Sequence, residues 1–231
     1  IILILLFFLS GCGISRNIDK KNLKLWYAQP TEIWGEALPV GSGRLGGMVF
    51  GGTAVERISL NEESLWAGRP ETNDVNPEAY SHLPAIREAL FQGDYVKSDE
   101  LSRKLQGRFS QSYAPLGDLF IHMEGIGDVE DYRRELDISN AIASTRFKSG
   151  GTSYIREVFA SAADEVIVVH MAAEGKDRLN GRVDLTSRLL SALSTTESSL
   201  VMEGRAPAHA DPIYFDSDGY AKEEGWNPII Y

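Results

Sequence analysis

The chain has 231 residues, 43% hydrophobic and 24% charged, a composition that excludes wholesale disorder and suffices for one large domain or two small ones. Its formal net charge is −10. No Lys/Arg cluster follows the pattern of a phosphate-binding patch, so nucleic acid is not an expected partner, and the dispersed acidity reads as a solvated surface.

The first element is the apolar run at residues 1–9, too short for a bilayer, which needs about 20 apolar residues. It matches the hydrophobic core of a secretory signal, and Leu9-Ser10-Gly11-Cys12 has the form of a bacterial lipobox, with small residues for cleavage followed by a thiol for lipid attachment. Residues 1–11 are therefore expected to be a lipoprotein signal peptide and Cys12 the lipid attachment site. The polar stretch 12–24 is expected to be anchor and tether. The expected location is that of an exported bacterial membrane lipoprotein, periplasmic or cell-surface, held to the membrane by the lipid anchor. The competing reading of Cys12 is a buried thiol in a core strand. It is the sole cysteine, so no intrachain disulfide can form. An initiator Met and a basic leader segment are missing, so the start is expected to be clipped.

The fold is expected to start near Leu25 and run through residue 231. Strand-length apolar runs recur between Gly, Asn, Asp and Pro clusters: Leu45 to Phe50, Arg57 to Leu60, Asp118 to Met123, Arg134 to Ile138, Ile142 to Phe147, Tyr154 to Ala160, Val166 to Met171, Val183 to Leu189 and Leu200 to Met202. Gly150-Gly151 can supply the positive φ of a tight hairpin between two of them. Residues 76–107 break the pattern. Asn76 can cap a helix with Pro77 in its first turn, Leu83, Ile86 and Leu90 share a face, and Gly93 and Gly107 can end two short helices. Pro84 must start the longer helix or kink it. The predicted fold is mainly β, an antiparallel sandwich with a short helical insertion.

Chemistry is sparse. His82, His122, His170 and His209 are scattered, without HxH, HExxH or paired Cys, so no metal is expected. No cofactor is expected either. No G-x-S-x-G nucleophile is present. The glycine-rich stretch Gly41 to Gly47 resembles a dinucleotide loop but leads into a strand-like GMVFGG, so its glycines read as a tight bend with close strand packing. Asp164-Glu165 and Glu223-Glu224 are adjacent carboxylates, which on a strand face opposite ways. No catalytic residue can be assigned. The most unusual stretch, residues 58–77, leaves a strand at Leu60 and offers Asn61, Glu62, Glu63 and Trp66 before a Gly/Pro/Asn loop. Aromatic faces cover the C–H patches of sugars while amides and carboxylates bond hydroxyls. Asn61, Glu62 and Trp66 are therefore candidate substrate-binding residues, with Trp66 packing on a neighbouring sheet and Glu62 pairing with an Arg as the alternative.

Taken together, WGEALPVGSGRLGGMVFGG (Trp34 to Gly52), ERISLNEESLWAGRP (Glu56 to Pro70), YAPLGDL (Tyr113 to Leu119), YRRELDI (Tyr132 to Ile138) and YIREVFAS (Tyr154 to Ser161) resemble the N-terminal domain of glycoside hydrolase family 95. The resemblance runs from about Trp26 to Tyr214. It implies an α-L-fucosidase or α-L-galactosidase lineage, inverting chemistry, fucosylated oligosaccharides as substrate, and a β-super-sandwich in front of a catalytic (α/α)6 barrel. That barrel would follow Tyr231, so the chain is expected to be an incomplete domain without turnover of its own. The competing reading is a non-catalytic, lipid-anchored carbohydrate-binding module.

Overall fold

A computed structural model describes residues 23–68, 76–107 and 111–207. Cys12, the expected signal peptide, nearly all of the expected tether, His209, Glu223-Glu224 and the C-terminal segment lie outside the described residues.

Two five-stranded antiparallel sheets dominate. The first has the order β1 (Lys24–Tyr27), β6 (Glu130–Asp137), β7 (Ile142–Ser149), β8 (Thr152–Ser161), β9 (Val166–Glu174). The second runs β10 (Gly181–Thr186), β5 (Gly117–Met123), β4 (Val55–Glu62), β3 (Leu45–Val49), β2 (Leu38–Gly41). A two-stranded ribbon, β11 (Leu190–Thr195) with β12 (Leu200–Arg205), completes the described strands. The expected antiparallel sandwich is what the chain forms.

Alternation explains the packing. Along β4 the residues Glu56 and Ile58 are buried while Val55 is exposed, the period-2 pattern of a sheet with one face in the core. The main core joins Leu38, Val40, Val49 and Ile58 of the second sheet to Leu136, Ala143 and Val158 of the first. Burying one such Ile or Val fully contributes about 1.5–3 kcal/mol. A second cluster of Leu65, Ala114, Leu189 and Ala206 lies under the loop after β4, and a third of Met123, Phe147 and Tyr154 includes a stacked ring pair with centroids 5.1 Å apart.

The Gly150-Gly151 hairpin forms as expected, with Ser149 paired to Thr152 and φ of 59° and 83° at the two glycines, the mirror-image turn whose twist suits flanking strands. The glycine stretch is likewise a bend: Ser42 N–H donates to Leu45 O at 2.9 Å and Gly41 pairs with Gly46.

The insertion holds two helices, α1 (Ala79–Phe91) and α2 (Tyr95–Ser102). Pro84 sits inside α1 rather than at its start. Asn76 does not cap. Its Oδ1 accepts from Glu78 N–H, while its amide donates to Lys104 O at 2.7 Å and Gln106 O at 3.1 Å, tying the entrance of the helix pair to its exit. Gly93 N–H donates to Leu90 O and Asp94 N–H to Ala89 O, which closes the end of α1. Asp94 then caps α2 through Lys97 N–H. The buried face of α1 is Ile86 with Ala89, and Leu90 is 47% exposed, contrary to the expected Leu83/Ile86/Leu90 face.

Three strands escape the periodicity reading. β1 and β2 are only four residues long, and β2 carries Pro39, which fits an edge strand. β11 is exposed at every residue, so no alternation marks it. The run expected from Val183 to Leu189 stops as a strand at Thr186, where the Ser187 hydroxyl donates to Leu116 O and accepts from Leu189 N–H, turning Leu189 into the second cluster. Among the described residues no helix is long and apolar enough to cross a membrane.

Candidate functional site

Because side chains alternate, β4 presents Arg57, Ser59 and Asn61 on the face away from the first sheet. The strand register aligns Ser59 with Met48 and Pro39 on one side and with Asp118 and Thr186 on the other, one rung across all five strands. All five residues line a groove of about 830 Å³. Gly46, Ser59 and Thr186 keep its floor low, while Trp34, Arg57, Tyr113 and Arg188 stand around it.

The polar groups of the groove are held in place. Arg57 grips Asp118 through two bonds, Nε and Nη2 each 3.0 Å from a carboxylate oxygen, and its guanidinium lies 4.6 Å from the centre of the Phe50 ring. The Ser59 hydroxyl donates to the same carboxylate at 2.5 Å. A carboxylate has about four acceptor positions, so Asp118 retains roughly one for a ligand. Arg188 is exposed and makes no ion pair or hydrogen bond among the described residues.

The three candidate residues from the sequence are placed differently from one another. Asn61 lines the groove, and its Oδ1 lies 2.5 Å from the Tyr113 hydroxyl, which is also 2.6 Å from the Glu62 carbonyl. Glu62 turns away: one oxygen accepts from Arg44 Nε at 3.1 Å and the other from the Ser64 hydroxyl at 2.6 Å and N–H at 2.9 Å. The Ser64 hydroxyl, then its backbone N–H and Arg44, hold the Glu62 carboxyl below the usual range. Trp66 meets Tyr113 edge to face at 5.2 Å, donates its indole N–H to Glu63 O and stays 45% exposed. It stands beside the groove rather than lining it. The loop is zipped to residues 112–114 by Ala67 N–H to Ser112 O and Ala114 N–H to Leu65 O. Tyr113 thus brings Asn61 and Trp66 together, while Glu62 serves the turn.

On the opposite face of the same strand, Glu56 and Arg156 form a pair buried between the sheets. Glu56 also accepts from Gly51 N–H at 2.8 Å and Arg57 N–H at 3.1 Å, and Arg156 donates to Gly52 O at 2.9 Å. Burial pushes the Glu56 carboxyl up, against the pull of Arg156. Nearby, Arg134 is buried with its guanidinium donating to Gln29 O and Glu36 O and lying over the Tyr27 ring at 4.2 Å.

Reading the sequence missed Trp34, Arg57, Asp118 and Arg188. Arg57 and Asp118 are 61 positions apart, and only the β4–β5 register joins them. A partial signal was present, because in VERISLNE the polar residues Arg57, Ser59 and Asn61 recur at every second position. Among the described residues no group of three or more His, Cys, Asp or Glu is placed to hold a metal.

Comparison with known proteins gives a consistent lineage. A family model described as glycosyl hydrolase family 65, N-terminal domain, matches residues 25–225. Alpha-L-fucosidase 2 of Arabidopsis thaliana is 34% identical over 172 residues, covering 72% of this chain and 20% of that protein. A probable alpha-fucosidase A of Aspergillus niger is 35% identical over 143 residues, 59% of this chain and 18% of that protein. Its namesake in Aspergillus oryzae is 30% identical over 162 residues, 68% and 22% respectively. The chain spans about a fifth of the length of these curated relatives. It belongs to the glycosyl hydrolase family 65 N-terminal domain family, a close neighbour of the family 95 expected from the sequence, and is a glycoside hydrolase N-terminal domain related to alpha-fucosidases.

Proposed function

We propose that the chain is the sandwich domain of an exported α-L-fucosidase-like enzyme that hydrolyses α-L-fucosides with inversion. In this reading a catalytic (α/α)6 barrel belongs to the same protein, and the sandwich braces it. The loop carrying Asn61, Glu62 and Trp66 contributes to the rim that meets the fucosylated glycan. Cys12 carries the lipid that holds the enzyme at the membrane, facing the periplasm or the cell exterior. The observation that carries this reading is the similarity to three proteins named as fucosidases, at 30–35% identity over 59–72% of this chain.

Site chemistry supports giving catalysis to another domain. Inverting hydrolysis needs a general acid with a raised pKa and a general base, with room between them for sugar and water. Among the described residues, the one carboxyl pushed upward is Glu56, which has no exposed surface. Asp118, in the groove, is tied to Arg57 and Ser59.

The test is to assay the full-length protein and the 231-residue chain on an aryl α-L-fucoside, following the anomer first released by proton NMR. Fucose released first as the β-anomer by the full-length protein, with none from the chain, is the expected result. Turnover by the chain, or none by the full-length protein, overturns the reading. Labelling with a fatty-acid probe, lost in Cys12→Ala, checks the anchor. The competing reading, a lipid-anchored carbohydrate-binding module, is favoured by the groove and predicts fucoside affinity without hydrolysis by the full-length protein.

A further inference from the structure

We propose that the groove on the outer face of the second sheet is a saccharide-binding site in its own right, with Trp34 as its platform and Asp118, Asn61 and Arg188 as its hydroxyl partners. The assignment of a glycan as ligand rests on the glycoside hydrolase reading; the location rests on the groove. Neither Glu62 nor Trp66 lines it, so this site shares only Asn61 with the loop rim.

Four observations carry the inference. The groove, about 830 Å³, falls in the roughly 300–1,000 Å³ range of small-molecule sites. Trp34 borders it with 61% of its surface exposed, leaving a flat apolar ring face available to the C–H side of a pyranose. The polar groups keep unused capacity facing opposite needs. The Asn61 amide NH₂ and the Arg188 guanidinium have donors without partners among the described residues, and Asp118 keeps acceptor capacity after its bonds to Arg57 and Ser59. Sugar hydroxyls both donate and accept, and so use both kinds. Finally, Arg57 and Ser59 fix the Asp118 carboxylate before any ligand arrives, which lowers the ordering cost of binding.

Charge selects the ligand class. The Arg57 and Asp118 charges cancel within the groove, leaving Arg188 alone. One exposed guanidinium is a weak basis for a phosphate site, which uses clustered cations or backbone N–H groups. A neutral oligosaccharide meets the aromatic face, the carboxylate and the amide together.

The experiment titrates the 231-residue chain with 2′-fucosyllactose and with lactose, by calorimetry and saturation-transfer NMR. The expected result is binding of 2′-fucosyllactose that weakens roughly tenfold in Trp34→Ala, a loss typical of an aromatic contact. Asp118→Asn and Arg188→Gln weaken it severalfold, while Tyr80→Ala, an exposed residue of α1 that does not line the groove, leaves it within about twofold. Arg188 is exposed and unpaired among the described residues, so its substitution tests the groove even where a Trp34 variant folds poorly. Binding of neither sugar overturns the proposal, as does affinity lost in Trp66→Ala but retained in Trp34→Ala and Arg188→Gln. Lactose binding as tightly as 2′-fucosyllactose, with the same loss in Trp34→Ala, upholds the groove while removing its fucose selectivity and weakening the fucosidase reading.

Discussion

Glu56 and Arg57 are neighbours in the chain and face opposite sides of one sheet. Each belongs to an arginine–carboxylate pair, yet the two pairs have different consequences. The side chains of Glu56 and Arg156 are 0% and 2% exposed, and those of Arg57 and Asp118 are 40% and 25% exposed. Inside the sandwich the ions have been stripped of water, and their remaining bonds go to Gly51, Gly52 and Arg57 backbone groups and to the Met123 sulfur. That pair links β4 of the second sheet to β8 of the first and leaves no surface for a ligand. On the outer face the Arg57–Asp118 pair keeps contact with solvent beside a groove. The same residue chemistry is architecture on one side of a strand and a prospective binding surface on the other, with burial making the difference.

The largest expected effect follows from breaking the buried pair. Glu56→Ala leaves Arg156 charged, buried and without its carboxylate, and is expected to cost about 3–5 kcal/mol, as for other broken buried pairs. Urea unfolding of the variant checks this; a loss under about 1 kcal/mol would mean that water reaches Arg156 and the two faces do not differ as described. Ile58→Ala, two residues along the same face, is expected to cost about 2–5 kcal/mol from lost burial and a residual cavity. It calibrates the core against the ion pair within one strand. On the outer face, Asp118→Asn is expected to change stability by no more than about 1 kcal/mol, since exposed pairs are screened, while lowering saccharide affinity. A large loss of stability with unchanged affinity would place this pair with the architecture instead.

The smallest effect concerns acid. Glu135 accepts from Lys24 at 2.5 Å and from Arg133 at 2.6 Å, and the Lys24 bond leads the causes that hold its carboxyl below the ordinary value of 4.5. Glu62 is lowered in the same direction, led by the Ser64 hydroxyl. A depressed folded pKa means that the unfolded chain binds protons first. The stability these groups contribute is therefore complete above 4.5 and lost as pH falls through that value to the lower folded pKa. Urea midpoints measured down a pH series should fall less steeply in Glu135→Gln than in the parent chain; identical slopes would show that the Lys24 and Arg133 contacts are not held in solution.

Much of the architecture was legible in the residues. Tyr154, Arg156 and Val158 alternate inward along β8, and the two glycines after Ser149 define their hairpin. The edges were harder to read because short strands carry little periodicity: β1 forms on the first sheet through pairing with β6, and β11 has no buried residue. Leu90 was expected on one face with Leu83 and Ile86 because spacing gives a face but not its width, and Ala89 is the residue buried beside Ile86 instead. Of the three candidate residues, Asn61 lines the groove, and Trp66 reaches its neighbourhood through Tyr113, some 47 positions downstream. Glu62 was singled out by residue type, and the structure assigns its oxygens to Arg44 and Ser64.

By itself the sequence determined the period-2 strands, the hairpin turns and the glycoside hydrolase lineage, because backbone sterics and alternation act over a few residues and long ordered motifs identify a family. Only the tertiary structure decided which face of β4 is core and which is groove, and that Arg57, Asp118, Trp34 and Arg188 share one site. Register across five strands and burial between two sheets are long-range properties, set by the packing of the whole domain rather than by any one segment.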